Sequence, residues 1–180
     1  MFGPVLEGER VRLAPVTEEM LPTFIGWFAD TDVTRYLGRV LPPSLPEEKD
    51  WFAGMCRSDR DVLWAVLAGE KLIGITGIHA IDWKNRHAAT GNLIGEKSEW
   101  GKGYGSEVVR LRTRFAFEQL GLEKLMTEVF AENTASIRAL EKAGYRPCGV
   151  RRRHAYRHGR WHDMWLAEVL RDEWERENAG

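Results

Sequence analysis

Gly95-Glu96-Lys97-Ser98-Glu99-Trp100-Gly101-Lys102-Gly103-Tyr104-Gly105-Ser106 decides how the chain must fold. It leaves an extended run, His87 to Ile94, and enters a stripe in which Tyr104, Val108, Leu111 and Phe115 recur at helical spacing. Strand therefore gives way to helix across a loop with three glycines at alternate positions. Each glycine lacks a Cβ where the backbone must bend and lets N–H groups approach an anion closely. The helix that follows adds unpaired N–H groups and the positive end of its dipole. A pyrophosphate fits such a junction. The dipole contributes roughly 0.3–1 kcal/mol per exposed charge, so several backbone hydrogen bonds must supply the rest. The competing reading is a glycine-rich turn kept only for its geometry.

Two other phosphate loops fail on inspection. A P-loop needs GxxxxGK[ST], but Gly101-Lys102 is followed by Gly103. A dinucleotide fingerprint needs GxGxxG, whereas Gly101, Gly103 and Gly105 give GxGxG followed by Ser106 and Glu107.

Working outward from the loop toward the N-terminus, Val62–Leu67 and Lys71–Ile81 read as strands joined by the hairpin signal Ala68-Gly69-Glu70. The turn Lys84-Asn85-Arg86 leads into the third strand of that run. Upstream, Arg10–Ala14 alternates as a first strand. Thr17 is placed to cap a helix running to about Phe28, with Glu18 and Glu19 in its first turn. Asp30–Gly38 holds a short turn or helix, and Pro46-Glu47-Glu48 opens a second helix to about Arg57, capped near Ser44 or Leu45. Toward the C-terminus, Gly121 ends the helix after the glycine loop and Lys124–Phe130 is the next strand. A helix over Asn133–Ala143 closes at Gly144. Strands Tyr145–Arg157 and His162–Leu170 flank His158-Gly159-Arg160, and the charged tail Arg171–Asn178 is helical around Trp174. The order predicts a single α/β (α+β) domain over 1–180, with one parallel crossover in a mostly antiparallel sheet.

Bulk composition excludes several classes. Hydrophobic residues at 43% and charged residues at 29% suit a globular core. Twenty-six Lys and Arg against 27 Asp and Glu leave a net charge of −1, so no nucleic-acid partner is expected. Arg151-Arg152-Arg153 with Arg157 and Arg160 is at most a local basic patch. Cys56 and Cys148 stand far apart with no ligand-spaced partner, so neither a disulfide framework nor a metal site is expected, and a reducing compartment fits. Cys148 follows Pro147, lacks an evident activating group, and reads as a packing residue. Neither a signal peptide nor a membrane-spanning window stands out, which suggests a cytoplasmic protein with no membrane partner. Trp27, Trp51 and Trp64 read as core or surface packing.

WGKGYGSE, followed by ENTASIRALEKAGYRPCG, resembles the ribosomal-protein-alanine acetyltransferase branch of the GNAT superfamily. The family's coenzyme motif, [QR]xxGx[GA], falls on Trp100 to Gly105. Gly103 and Gly105 match, and Trp100 stands in place of Gln or Arg. The likeness extends over nearly the whole chain, including HGRWHDM and the terminal EW. It implies a GNAT fold, with the mixed sheet splayed at its central parallel strand pair and flanked by helices. It implies acetyl-CoA as cosubstrate, with no metal. Coenzyme contacts would come from Leu93, Ile94, Trp100, Gly101, Lys102, Gly103, Tyr104, Gly105, Ser106, Asn133 and Ser136. Asn133 as a plain helix cap and Ser136 as a plain first-turn residue are the alternatives. In that family the last hairpin is a surface on which two copies can pair, which allows a homodimer.

The resemblance also exposes a gap in the chemistry. Many relatives place a Glu on the strand before the glycine loop as base and a Tyr in the later helix as acid; those places hold Thr90 and Leu140. Ser136, with Asn133 beside it, is the first candidate to protonate the leaving thiolate, and Glu128 and His79 are candidate bases. A satisfied polar residue on a strand is the competing reading for the last two. Arg35 and Tyr36 are candidates to line the acceptor entrance. A lysine amine near pKa 10.4 costs about 4.6 kcal/mol to deprotonate at pH 7, and an α-amine near 8 about 1.4. A site without a strong base therefore suits a protein or peptide N-terminal α-amine. Small amines (polyamines or aminoglycosides) and a coenzyme-binding module without turnover are the alternatives.

Overall fold

The computed structural model describes residues 1–178. Its eight strands form one sheet in the order β1-β2-β3-β4-β5-β6-β8-β7. In chain order they are β1 (Leu6–Glu7), β2 (Arg12–Ala14), β3 (Val62–Ala68), β4 (Lys71–Asp82), β5 (His87–Ile94), β6 (Lys124–Phe130), β7 (Arg146–Arg157) and β8 (Arg160–Leu170). The helices are α1 (Leu21–Ala29), α2 (Thr31–Thr34), α3 (Leu45–Arg57), α4 (Tyr104–Glu118), α5 (Thr134–Glu141) and α6 (Arg171–Asn178). The mixed sheet is the GNAT arrangement expected from the sequence: β5 and β6 are parallel, joined through α4, and the remaining pairs are antiparallel.

Alternation along the strands divides the molecule into two layers. Val62, Trp64 and Val66 of β3 point toward the cluster holding Val108, Val109, Ala116 and Phe117 of α4, with Leu140 of α5. Ala65 and Leu67 point the other way, toward Leu21, Phe24 and Trp27 of α1. Trp64 is fully buried, its ring edge against Phe115 and its indole N–H on the Pro4 carbonyl at 2.9 Å. The α3 start is a complete capping box: Ser44 Oγ accepts from Glu47 N–H, and Glu47 returns a bond to the Ser44 N–H.

Three local features depart from the sequence reading. Thr17 makes no side-chain cap bond, and a 3-10 turn over Glu18–Met20 precedes α1. A two-residue strand, β1, pairs with β2 where only one strand was expected. Strand β8 inserts between β6 and β7, so the final hairpin is threaded rather than added in order. That hairpin exposes Val150, Tyr156 and Trp161 on the surface expected to meet a second copy.

Candidate active site

The parallel pair at the sheet centre is short. β5 and β6 pair only at His87↔Lys124, Ala88↔Leu125 and Ala89↔Met126. One residue further on, side chains replace the ladder: Thr90 Oγ1 donates to the Met126 carbonyl at 3.1 Å, and Thr127 Oγ1 donates to the Thr90 carbonyl at 3.2 Å. Beyond that, β5 stays with β4 as far as Gly74↔Ile94, while β6 stays with β8 as far as Phe130↔Met164. Each strand thus follows its outer neighbour, and the two part. Gly91–Ile94 and Glu128–Phe130 line a cavity of about 1200 Å³.

The glycine loop closes one end of this cavity. Gly101 and Gly103 take φ of 76° and 85°, the left-handed region that other residues enter at a cost, and Gly103 is the N-cap of α4. No side chain caps this end, which leaves first-turn N–H groups beside the cavity. Gly103 and Gly105 both line that space, and a Cβ added at Gly105 would meet nothing within 4 Å. The loop is anchored from far away in sequence. Arg10 donates through Nη1 to the Lys102 carbonyl at 2.8 Å, and its guanidinium lies 5.5 Å from the Tyr104 ring centre. Glu107, buried in the first turn of α4, accepts the Arg10 and Val11 N–H groups at 2.9 and 3.3 Å. Burial would raise its pKa, but those backbone donors and the Arg10 guanidinium outweigh it and hold the carboxyl below its ordinary value. Trp100 donates its indole N–H to the Ile94 carbonyl at 2.7 Å, tying the loop to the end of β5.

Across the cavity, Asn133 and Ser136 stand at the start of α5. Asn133 Oδ1 accepts the Ser136 N–H at 3.2 Å, so Asn133 does cap the helix. Its amide nitrogen has no partner among the described residues, and both side chains still line the cavity. Glu128 pairs through one oxygen with Arg151 at 2.6 Å, and its other oxygen lies 3.3 Å from His154 Nε2, so both carboxylate oxygens are occupied. Thr90, at the place where the resemblance leads one to expect a Glu, is buried, with its hydroxyl also 3.2 Å from Tyr145 Oη. Leu140 is in the core and outside the cavity.

On the α1–α3 face, strand parity builds a hollow. Gly77 and Gly91 are directly opposed on β4 and β5, with Leu63, Ile75 and Leu93 as same-face neighbours. Two glycines side by side leave a floor without side chains. His79 lies across it: a Cβ built on Gly77 would meet His79 Nε2 at 2.7 Å, and one on Gly91 would stand 3.8 Å from it. Nδ1 of the same ring is 3.4 Å from Asp61 Oδ1. Asp61 also accepts the N–H of Ala80 at 3.2 Å, where a bulge turns the backbone to a φ of 50°. One carboxylate therefore holds both the bulge and the imidazole. Burial lowers the His79 pKa, Asp61 opposes that, and the charge on fully buried Arg112 adds to it. Arg112 itself donates from α4 to Thr76 Oγ1 and the Gly91 carbonyl, at 2.9 and 2.8 Å.

Arg35 and Tyr36 line the cavity as well, with Arg35 3.5 Å from Asp32 and the Tyr36 ring 5.8 Å from that of Phe130. Arg157 fixes their loop to the last hairpin by donating to the Leu37 and Gly38 carbonyls. The structure brings together on one cavity every site residue expected from sequence except Lys102, whose ammonium turns to Glu99 at 2.8 Å. Cys148 is exposed rather than packed, because it lies on outer strand β7 with exposed neighbours. Arg10, Asp61, Glu107 and Arg112 were not legible beforehand: each acts on a partner brought close only by the sheet. Among the described residues no group of three His, Cys, Asp or Glu side chains is placed to hold a metal ion, and no helix is long and apolar enough to cross a membrane.

Comparison with known proteins follows the same lines. The family model described as an acetyltransferase (GNAT) domain matches residues 10–146. The chain is 32% identical over 174 residues to the uncharacterized N-acetyltransferase YoaA of Bacillus subtilis (strain 168), covering 93% of this chain and 97% of that one. It is 25% identical over 171 residues to the uncharacterized N-acetyltransferase p20 of Bacillus licheniformis, covering 92% and 96%. A crystal structure of spermidine N-acetyltransferase from Vibrio cholerae, in complex with CoA and spermine, superposes with a TM-score of 0.87 over 93% of this chain and 99% of that one. Its sequence identity is 18%, so it speaks to the fold alone.

Proposed function

Because the chain belongs to the acetyltransferase (GNAT) family and is an N-acetyltransferase, we propose that it moves the acetyl group of acetyl-CoA onto a peptide or protein N-terminal α-amine by direct attack on the thioester. The observation that carries the reading is the parting of β5 and β6 beside the uncapped start of α4. The resemblance to the ribosomal-protein-alanine branch supports the α-amine over other acceptors.

The residues present fit the coenzyme. N–H groups from Gly101 to Gly105 would hold the diphosphate, the Ser106 N–H being already donated to the Gly103 carbonyl, and the first turn of α4 adds its dipole. The Ile94 carbonyl is already bonded to Trp100, so the pantetheine arm would use the remaining backbone groups of Leu93 and Ile94. Asn133 and Ser136 would face it from α5.

The proton path runs through this chain's own groups. As the amine nitrogen bonds to the acyl carbon and the carbon–sulfur bond breaks, one amine proton must leave and the thiolate must gain one. His79 Nε2 serves as the acceptor of the first, directly or through water, since Nδ1 faces Asp61 and the lowered pKa keeps the ring neutral at pH 7. Glu128 suits that task less, with one oxygen on the Arg151 guanidinium and the other facing the His154 ring. Ser136 Oγ supplies the second proton and regains it from solvent. Such a base is weak beside a lysine ammonium, which adds about 4.6 kcal/mol at pH 7, and adequate for an α-amine at about 1.4. The test is mass spectrometry of peptides carrying both a free N-terminus and an internal lysine, incubated with enzyme and acetyl-CoA beside a polyamine panel. Acetylation confined to the α-amine is expected. Faster modification of lysine side chains or polyamines would overturn the acceptor assignment.

A further inference from the structure

Glu48 sits in the first turn of α3 with 5% of its surface exposed, and it lines the cavity together with Phe24, Trp27, Phe28 and Trp51. Among the described residues its carboxylate accepts no hydrogen bond and joins no ion pair: the nearby Arg39 turns its Nη2 to Glu47, 3.7 Å away. Such a group is costly to retain. Its oxygens are not fully enclosed and so open on the cavity, where the start of α3 and the more distant Arg39 are the only attractions the described residues offer them. Its neighbour Glu47, by contrast, completes the capping box and has a structural task. Phe24, Trp27, Phe28 and Trp51 share the cavity wall with Glu48, and aromatic faces attract cations. A carboxylate without an ion-pair partner, on an aromatic-rich wall of a cavity that also holds the acceptor machinery, matches one kind of ligand group: an ammonium or guanidinium.

We propose that Glu48 binds a second, non-reacting cation on the acceptor, so that the enzyme selects peptide N-termini followed closely by a basic side chain. This rests on the α-amine reading and narrows it. The reacting amine has to be neutral when it attacks, whereas a carboxylate stabilises the charged form, so the two groups occupy different parts of the cavity. His79 and the paired glycines lie on the sheet, and Glu48 lies on α3, the helical wall of the same cavity. Burial also raises the Glu48 pKa, with Arg39 opposing and Glu47 reinforcing, which is what an acid waiting for a cationic partner would show before that partner arrives.

The experiment compares wild type with Glu48→Gln on two peptides that differ only at the second residue, lysine or its uncharged isostere norleucine, reading N-terminal acetylation by mass spectrometry. A 1,n-diamine and the matching monoamine form a second pair. Wild type should favour the charged member by about tenfold or more in kcat/KM, through KM, as expected for a charge-assisted contact. In Glu48→Gln the ratio should fall toward one. Thermal unfolding reports on folding: removing an unpaired buried charge should leave the melting temperature at pH 7 equal or higher. A ratio near one in wild type, or an unchanged ratio in Glu48→Gln, overturns the subsite, as does a clear loss of stability, which would assign Glu48 a structural role. If neither peptide turns over but the diamine preference disappears with Glu48→Gln, the subsite stands and the peptide reading falls.

Discussion

His79 illustrates how much of a residue's chemistry is set by neighbours remote in sequence. Alone, an imidazole titrates near 6.5 and is still about one-quarter charged at pH 7, where a base is needed. Here burial, reinforced by Arg112, pushes it lower, and Asp61 at 3.4 Å orients the ring while opposing the shift. The sign is straightforward. A base must be unprotonated to act, so the limb it produces lies below pH 6.5, with activity falling as pH drops through it. A separate limb near pH 8 belongs to the α-amine itself. His79→Gln should lower kcat/KM by about 100-fold and erase the lower limb while keeping the upper one. Ser136→Ala should lower kcat and leave both limbs in place. A lower limb that survives in His79→Gln would remove the imidazole from proton transfer, and unchanged turnover in Ser136→Ala would remove the hydroxyl.

At the scale of elements, the start of α4 separates geometry from stability. Gly103 holds φ at 85°, so alanine there costs about 1–2 kcal/mol of left-handed strain, and its Cβ would press on Arg10 at 3.3 Å. Gly105 has no positive φ and open space where a Cβ would go, so alanine should gain up to about 1 kcal/mol of helix propensity. Gly103→Ala is therefore expected to lower stability, and Gly105→Ala to raise it. Both should weaken CoA binding measured by calorimetry, because each puts a methyl beside the N–H groups proposed to hold the diphosphate. Unaltered affinity in both would leave the loop a turn and nothing more. This junction was readable from sequence because its signals are local: glycine spacing, the helical stripe beginning at Tyr104, and the strand ending at Ile94. β5 and β6 likewise fell on the bounds their periodicity suggested. What sequence could not supply was pairing between distant segments. Glu107 bonding to Arg10 and Val11, the His79–Asp61 contact and β8 entering between β6 and β7 all depend on register, and no local pattern encodes them. Thr17 failed as a cap for the opposite reason: a favourable local propensity lost to the 3-10 turn that leads into α1.

At the scale of the whole molecule, the sheet consists of two groups of strands joined by a narrow bridge. β1 to β5 form one group and β6 to β8 the other, with three residue pairs and two threonine side-chain bonds between them. Past that bridge, the facing edges of Gly91–Ile94 and Glu128–Phe130 lack each other as partners. A ligand lying in the gap would complete hydrogen bonding that the chain leaves open, and would be bound only by the folded state. Linkage then sets the size of the effect: CoA at 100 times its Kd adds about 2.7 kcal/mol. At about 2–4 °C per kcal/mol for a chain of this size, the melting temperature should rise by roughly 5–11 °C. The gain should shrink with added salt, since the diphosphate contacts are ionic. Hydrogen exchange should locate the protection: amides of Gly91–Ile94 and of the loop from Gly101 to Gly105 should slow, while those of His87–Ala89, already within the bridge, should change little. Protection spread evenly over both strand groups, or confined to the α1–α3 face, would mean that the coenzyme does not occupy the gap.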